Sequence, residues 1–389
     1  MPNALILSGG SPNMTLMSGA LVAFEEEKDL KFDVVSTSGA GALIGLLWAA
    51  PRGASRKEAL ENTVNLGVSD AIYEQFPVNY KAFFKPGVTA EAYRNALSSN
   101  PWLRLFADPQ EIERWERVWA ESIRRLAPWL WSAMSEADWE RGQRLVSDLL
   151  QLFWATLSPS DLTPKSLGMC ANVPFIDKIV DFDKLQEFPG EFYISAYNIY
   201  RREMENWGKK EIDKDRFLAA FSFPLIYAPW EVDGEPYYEG ASIDCLNFAF
   251  LVNDNETEGK PLGRHTEIDT LVVFDMLGHD RLIRKPRDLY DAWVKQIIVP
   301  LVEIARDDMK LFDNIYNVKV DQDGRPVFGP DGKPEKKRSL LRVEFDIPDD
   351  FWPEILDWSS SNLRRLFRIG KEAGERFLEN PDNRKALGI

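Results

Sequence analysis

The first fifty residues of the chain alternate twice between a short apolar run, a turn of small residues and a longer apolar helical pattern. Each apolar run is too short for a helix and is followed by serine and glycine, as a buried strand is before a turn. Strands are expected at residues 4–7 and 32–35, turns at 8–10 and 36–41, and helices at 14–28 and 42–50. Strands joined through helices pair in parallel, so this order predicts an α/β fold with a mostly parallel central sheet flanked by helices.

The middle of the chain has a different character. Residues 52–170 carry amphipathic helical patterns, the clearest at 136–157, with prolines between them. This segment is rich in tryptophan and contains Trp102, Trp115, Trp119, Trp129, Trp131, Trp139 and Trp154. The α/β pattern then returns, with buried strands predicted at 191–198 and 270–275. The sequence thus predicts one α/β domain over residues 1–389 that contains a Trp-rich helical insertion at residues 52–170.

The tryptophans of this insertion allow two interpretations. Indole side chains favour a membrane–water boundary, which would make the insertion a lid or a peripheral contact with a lipid surface. The same side chains could instead fill the core of a helical subdomain or a dimer interface, since helices with Glu and Arg on the outer face are ordinary in soluble proteins. The oligomeric state stays open at this point.

Composition restricts the chemistry and the partners of the chain. Its 47 basic and 62 acidic residues give a net charge of -15, so a nucleic-acid partner, which needs a basic surface, is not expected. Two cysteines, Cys170 and Cys245, predict neither a disulfide scaffold nor a cysteine metal site. Two histidines, His265 and His279, stand in no recognisable catalytic or zinc-binding pattern. We therefore predict no metal and no cofactor.

The N-terminal residues and the apolar stretches bear on location. No basic segment followed by a long apolar one is evident near Met1, so no signal peptide is predicted. The longest apolar stretch, residues 40–50, is shorter than the roughly 20 residues that span a bilayer. A cytoplasmic location is the resulting expectation, with peripheral membrane contact as the alternative that the tryptophans leave open.

Three segments carry motifs in a recognisable order. They are Leu7–Met14 followed by Gly19–Leu21, Val34–Gly45, and Phe217–Pro224 followed by Tyr237–Ala241 and Asn247. In order and spacing they resemble the glycine-rich loop, the nucleophile elbow and the base motif of the patatin-like phospholipases, over residues 4–250 apart from the insertion. This resemblance implies a three-layer α/β fold. It also implies hydrolysis of lipid acyl esters by a serine and an acidic residue, a dyad that needs no histidine.

The nucleophile position departs from the pattern of that family. Alignment of Gly41-Ala42-Leu43 with the family's G-A-L places Gly39 where the nucleophilic serine belongs, so that Gly39 and Gly41 form the elbow. Alignment of Thr37-Ser38 with the family's T-S makes Ser38 the nucleophile and leaves Gly39 as an extra residue. A shift of one residue moves a Cα atom by about 3.8 Å and, at a strand end, turns the side chain to the other face.

The base and the oxyanion loop are altered as well. The aspartate of the family's base motif is replaced by Glu239, which keeps the carboxylate and adds one methylene. Gly9, Gly10 and Ser11 occupy the oxyanion loop, where backbone N–H groups would stabilise an oxyanion. This loop lacks the third glycine and the arginine of the family's pattern. The changes at the nucleophile position, the base and the oxyanion loop together indicate an active site that has either been rebuilt or lost its activity.

Two function hypotheses follow. In the first, the chain is a lipid acyl or ester hydrolase in which Ser38 attacks the carbonyl, Glu239 takes its proton, and the backbone of residues 9–11 holds the oxyanion. In the second, the chain is a catalytically inactive protein on the same fold that binds a lipid, an acyl chain or a protein partner. A third interpretation, in which Gly39 results from an introduced Ser→Gly change, leaves Glu239 and the altered loop unexplained.

Overall fold

The structure is a computed structural model of the chain. It describes residues 2–10, 13–77, 79–81, 135–157, 165–170, 176–248, 264–276, 289–347 and 357–389, together with residues 118, 122, 125, 251, 285 and 286.

The described part of the chain contains ten strands. They are β1 (Asn3–Leu7), β2 (Val34–Thr37), β3 (Gly168–Cys170), β4 (Glu191–Asn198), β5 (Glu203–Gly208), β6 (Leu225–Tyr227), β7 (Trp230–Val232), β8 (Glu235–Glu239), β9 (Thr270–Phe274) and β10 (Ser339–Arg342). Eight of them form one mixed sheet in the order β10-β9-β1-β2-β4-β8-β7, with β5 paired to β4. Neighbours from β10 to β4 are parallel, whereas β5, β7 and β8 pair antiparallel. Strands β3 and β6 form a separate parallel pair.

Ten α-helices are described with these strands. They are α1 (Met14–Glu26), α2 (Ala40–Ala49), α3 (Arg56–Glu61), α4 (Asp70–Tyr73), α5 (Glu136–Leu157), α6 (Ile176–Ile179), α7 (Lys214–Ala220), α8 (Leu289–Leu311), α9 (Ser360–Glu379) and α10 (Pro381–Leu387). The predicted α/β fold, a mostly parallel sheet flanked by helices, is therefore confirmed. Among the residues described, no helix combines the length and the apolar composition that crossing a membrane requires.

Strand β1 is buried on both faces, which explains its uninterrupted apolar sequence. Leu5 and Leu7 belong to one hydrophobic cluster together with side chains of α1, α2 and α9. Ala4 and Ile6 belong to a second cluster that includes Phe312, just after α8. Because Leu7 pairs with Thr37, strands β1 and β2 end side by side, and the turns that follow them leave the sheet together.

The Trp-rich insertion is covered only in part. Helices α3, α4 and α5 lie within residues 52–170, and α5 has the bounds predicted for a helix at 136–157. The tryptophans outside the described residues are Trp102, Trp115, Trp119, Trp129 and Trp131. The single domain over residues 1–389, its insertion at 52–170 and the role of the tryptophans therefore stay predictions.

Candidate active site at the strand-to-helix elbow

The turn between β2 and α2 has the geometry of a strained elbow. Strand β2 ends at Thr37 and helix α2 begins at Ala40, so Ser38 and Gly39 alone connect them. Gly39 has φ 51° and ψ −124°, a combination that residues with a side chain rarely adopt. A sharp, strained strand-to-helix turn is where an α/β hydrolase exposes its nucleophile. The structure therefore places Gly39, and not Ser38, at the centre of the elbow.

Gly41 allows the first turn of α2 to approach the end of β1. A Cβ atom on Gly41 would lie 2.7 Å from the carbonyl carbon of Leu7 and 2.7 Å from the carbonyl oxygen of Ser8. Both neighbours are backbone atoms, which cannot move without displacing the strand. Position 41 therefore requires glycine, because the backbone of α2 lies too close to the end of β1 for any side chain.

The predicted base, Glu239, reaches the elbow. Glu239 is the last residue of β8 and pairs with Ala196 of β4, while its N–H donates to the carbonyl of Ser222 at 3.0 Å. A Cβ atom on Gly39 would overlap Glu239 Oε1 and lie 2.7 Å from Glu239 Cδ. The carboxyl group of Glu239 thus fills the space into which a side chain at position 39 would project.

The environment of Glu239 favours its neutral form. The residue is 8% exposed, and its side chain makes no hydrogen bond to any residue that the structure describes. Burial raises the pKa of Glu239 to about 8, because a carboxylate loses its hydration in an apolar site. At neutral pH the group is therefore mostly a protonated carboxylic acid, which can donate a hydrogen bond.

The hydroxyl of Ser38 hydrogen-bonds to a residue other than Glu239. Its side chain is 1% exposed, and its hydroxyl donates to the carbonyl of Cys245 at 3.0 Å. Its N–H donates to the carbonyl of Leu7 at 3.0 Å, which continues the pairing of β1 with β2. No hydrogen bond joins Ser38 to Glu239. The structure places the predicted nucleophile and the predicted base in the same region without the contact that proton transfer needs.

The glycine loop lies against the same carboxyl group. A Cβ atom on Gly9 would lie 3.0 Å from Ala241 Cβ and 3.6 Å from Glu239 Oε1. Burial raises the pKa of the nearby Cys245 thiol well above its ordinary value, and the backbone of Gly9 acts in the opposite direction. Gly10 has φ 135°, a glycine conformation, and Ser11 lies outside the described residues. The structure thus brings Gly9, Gly39 and Glu239 together.

One carboxylate that sequence motifs did not indicate fixes the segment after Glu239. Asp308 of α8 accepts the N–H of Cys245 at 2.8 Å and the N–H of Leu246 at 3.0 Å. Burial raises the pKa of Asp308 and of Asp244, which hydrogen-bonds to it. The sequence offered no signal for this role, because Asp308 belongs to an ordinary amphipathic helix that is remote in sequence from the elbow.

Asn247, the asparagine of the third motif segment, hydrogen-bonds to a residue of β2 near the elbow. Its amide donates to the hydroxyl of Ser36 at 3.3 Å and pairs with the amide of Asn206. These buried contacts satisfy polar groups at the end of the strand. Within the described ranges, no group of three His, Cys, Asp or Glu side chains could hold a metal ion.

Comparison with known proteins gives a family match and two similar structures. The family model described as patatin-like phospholipase matches residues 5–252. VipD from Legionella pneumophila is 12% identical, with 97% of this chain and 66% of that chain covered and a TM-score of 0.36. A chain of the heterodimeric ExoU–SpcU complex from the type III secretion system of Pseudomonas aeruginosa is 14% identical, with 100% and 52% covered and a TM-score of 0.29. This chain spans just under two thirds of the first protein and about half of the second. No curated protein sequence matches significantly.

Proposed function

The chain belongs to the patatin-like phospholipase family, a family of lipid acyl hydrolases, and we propose that it binds a lipid acyl group or ester without cleaving it through a serine. The observation that carries this proposal is the position of the Glu239 carboxyl group, which fills the space of a side chain at Gly39. The elbow keeps its shape, and the carboxyl group of Glu239, at the position of the family's base, occupies its centre.

The surroundings of Ser38 support this proposal. A serine nucleophile needs its hydroxyl within hydrogen-bond reach of the base. Rotation of the Ser38 hydroxyl toward Glu239 would break its bond to the Cys245 carbonyl. A buried carbonyl left without that donor costs about 1–3 kcal/mol.

Labelling with a fluorophosphonate tests the proposal directly. We expect no covalent adduct on the intact protein by mass spectrometry and no turnover of p-nitrophenyl esters. The double variant Gly39→Ser/Glu239→Asp supplies a positive control, because the shorter carboxylate withdraws by about 1.5 Å and leaves room for a serine hydroxyl. That variant should gain an adduct at position 39. An adduct on Ser38 of the unmodified chain would overturn the proposal.

A second candidate function is hydrolysis by Ser38 and Glu239. One observation favours it: both side chains are buried at the same elbow, and Glu239 has no hydrogen-bond partner among the described residues that would have to be displaced. Comparison of ester turnover by the unmodified chain and by Ser38→Ala distinguishes the two candidates. Turnover that disappears in the variant supports the dyad, and turnover that persists removes Ser38 from the mechanism.

Contact with a lipid surface through the Trp-rich insertion is proposed on the composition of that segment alone. Cosedimentation with phosphatidylcholine vesicles tests it. Binding that weakens when the tryptophans of residues 102–131 are replaced by serine would support the contact. Unchanged binding would assign these tryptophans to a protein core or interface.

A further inference from the structure

A cavity lies at the end of α2 that is remote from the elbow. Its walls come from the end of α2, the start of α3, and the 3-10 turn Lys184–Glu187 with Phe188 after it. Since the 10 residues of α2 rise by about 15 Å, this cavity is separate from the elbow at the other end of the helix. Its volume of about 310 Å³ is at the lower end of the roughly 300–1000 Å³ that small-molecule sites occupy. The cavity can therefore hold a small ligand.

Arg56 provides a positioned cation in the wall of this cavity. Its guanidinium lies 5.6 Å from the centroid of the Trp48 ring and 5.7 Å from that of the Phe188 ring, and such cation–π contacts restrict its orientation. Glu25 of α1 lies 3.7 Å from the guanidinium, beyond hydrogen-bond distance, and accepts the indole N–H of Trp48 at 2.8 Å. Among the described residues, no acceptor hydrogen-bonds to this guanidinium. Its N–H groups are therefore left for a ligand.

Lys184 and Glu187 bring opposite charges to the same cavity. Residues three positions apart eclipse in a 3-10 turn, so the two side chains leave this turn on the same side. Both are exposed, yet they pair neither with each other nor with any other residue that the structure describes. The hydroxyl of Ser55 accepts the N–H of Glu58 at 3.2 Å, and within the same ranges its own proton has no acceptor. The cavity thus presents both donors and an acceptor to a ligand.

The charges around the cavity favour a ligand without net charge. The cations Arg56 and Lys184 are balanced by the carboxylates of Glu25 and Glu187. A phosphate dianion would create an excess of negative charge here, and it would also meet the carboxyl end of α2, which carries about half a negative charge. A purely cationic ligand would be repelled by Arg56 and Lys184. A zwitterion satisfies both signs, with its anionic group at the two cations and its cationic group at Glu187.

The remaining wall of the cavity is apolar, and it is formed by Ala49, Pro51, Ala54 and Phe188. A carboxylate can accept two parallel N–H bonds from a guanidinium, and an ammonium group donates charge-assisted hydrogen bonds to a carboxylate. An α-amino acid with an apolar side chain combines these two charged groups with a surface that can contact the apolar wall.

We infer that this cavity binds a free α-amino acid with an apolar side chain. The carboxylate of the ligand accepts hydrogen bonds from Arg56 and Lys184, its ammonium group donates to Glu187, and its side chain contacts the apolar wall. This inference goes beyond the proposed function and does not depend on it, because the elbow and the cavity lie at opposite ends of α2.

Titration calorimetry of the full chain with leucine and phenylalanine tests the inference, and we expect both to bind saturably. N-acetylleucine lacks the ammonium group and leucine methyl ester lacks the carboxylate, so each should bind about tenfold or more weakly than leucine. Aspartate, whose side chain adds a negative charge, should also bind more weakly than leucine.

Three variants identify the groups that bind the ligand. Glu187→Gln should bind leucine about three- to tenfold more weakly, but it should bind N-acetylleucine no more weakly than the unmodified protein does, since that ligand brings no ammonium group. Lys184→Gln should weaken the binding of both ligands. Lys57→Gln is the matched control, because Lys57 is exposed next to Arg56, pairs with Glu26 at 2.7 Å and does not line the cavity. Its affinity for leucine should be unchanged.

Several outcomes would overturn the inference: no saturable binding of leucine or phenylalanine, affinity for N-acetylleucine or leucine methyl ester equal to that for leucine, or equal losses in Lys184→Gln and Lys57→Gln. The three substituted side chains are exposed, and circular dichroism checks that the variants fold. If a variant fails to fold, the comparison of leucine with its two derivatives on the unmodified protein still decides. A fluorophosphonate adduct on Ser38 would overturn the proposed function and leave this inference standing.

Discussion

The Oε1 atom of Glu239 overlaps the position that a Cβ atom on Gly39 would take. The two residues come from different parts of the sheet, since Gly39 follows the parallel strand β2 and Glu239 ends the antiparallel strand β8. Loss of a side chain at one position and presence of a longer carboxylic acid at the other are therefore complementary. The carboxyl group of Glu239 therefore occupies the space that a side chain at position 39 would take.

This overlap predicts a large effect of Gly39→Ala on stability. The added methyl group meets Glu239, and φ at this position is 51°, so we expect the free energy of unfolding to fall by about 2–5 kcal/mol. Urea unfolding measures the change. Gly53→Ala is the matched control, because Gly53 has φ 71° and no neighbouring atom within 4 Å. The control should lose about 1–2 kcal/mol from backbone strain alone. Equal losses in both variants would show that Glu239 leaves position 39 open.

Gly41 provides a second test of close packing. In Gly41→Ala the methyl group would press on the backbone of Leu7 and Ser8, so we expect destabilisation by about 3 kcal/mol or more, or failure to fold. Gly142→Ala is the control, since Gly142 lies in α5 with no neighbouring atom within 4 Å. That change should be neutral or stabilise by up to about 1 kcal/mol, as alanine favours a helix. Similar unfolding curves for both variants would contradict the close approach of α2 to β1.

The sequence predicted the central strands because their apolar runs are continuous, but it misplaced the end of β2. The prediction ended this strand at Val35 and began a turn at Ser36, whereas the strand continues through Thr37. The hydroxyl of Thr37 donates to the carbonyl of Tyr193 at 2.9 Å, and Ser36 accepts from Asn247. These partners are more than 150 residues away, so a local pattern of small polar residues could not distinguish a strand end from a turn.

The candidate site was predictable in part. Motif order indicated that Gly9, Gly39 and Glu239 would meet at one end of the sheet. The position of the Glu239 carboxyl group depends on packing between β8 and the elbow, which no local pattern encodes. The hydrogen bond of Ser38 could not be predicted either, because its acceptor is the backbone carbonyl of Cys245, and a backbone carbonyl leaves no trace in the sequence.

The bond between Ser38 and Cys245 predicts a structural role for the serine hydroxyl. In Ser38→Ala the buried Cys245 carbonyl loses its donor, so we expect the free energy of unfolding to fall by about 1–3 kcal/mol. Ser18→Ala is the control: Ser18 is also fully buried, but its hydroxyl bonds at 3.4 Å to the carbonyl of Met14 one helical turn earlier. Denaturant unfolding of both variants measures the difference. Equal stability of Ser38→Ala and the unmodified chain would show that the hydroxyl is free for another role.

The raised pKa of Glu239 predicts a pH dependence of stability in the absence of ligand. The group ionises at about 8 in the folded protein and near its ordinary value of 4.5 when unfolded. Between these values unfolding releases a proton, so rising pH lowers the free energy of unfolding by about 1.4 kcal/mol per pH unit through this group. Glu239→Gln lacks the proton, and its stability relative to the unmodified chain should therefore increase from about pH 5 to about pH 8 and then level off.

Urea unfolding of the two proteins at intervals across that range measures the difference, and the remaining titrating groups cancel because both proteins share them. A difference that is constant with pH would mean that Glu239 is ionised in the folded state at neutral pH. The carboxyl group would then act at the elbow as a base, and the Ser38–Glu239 dyad would become the better account of the site. A difference that grows with pH in favour of Glu239→Gln would instead establish a neutral acid in the place of the nucleophile.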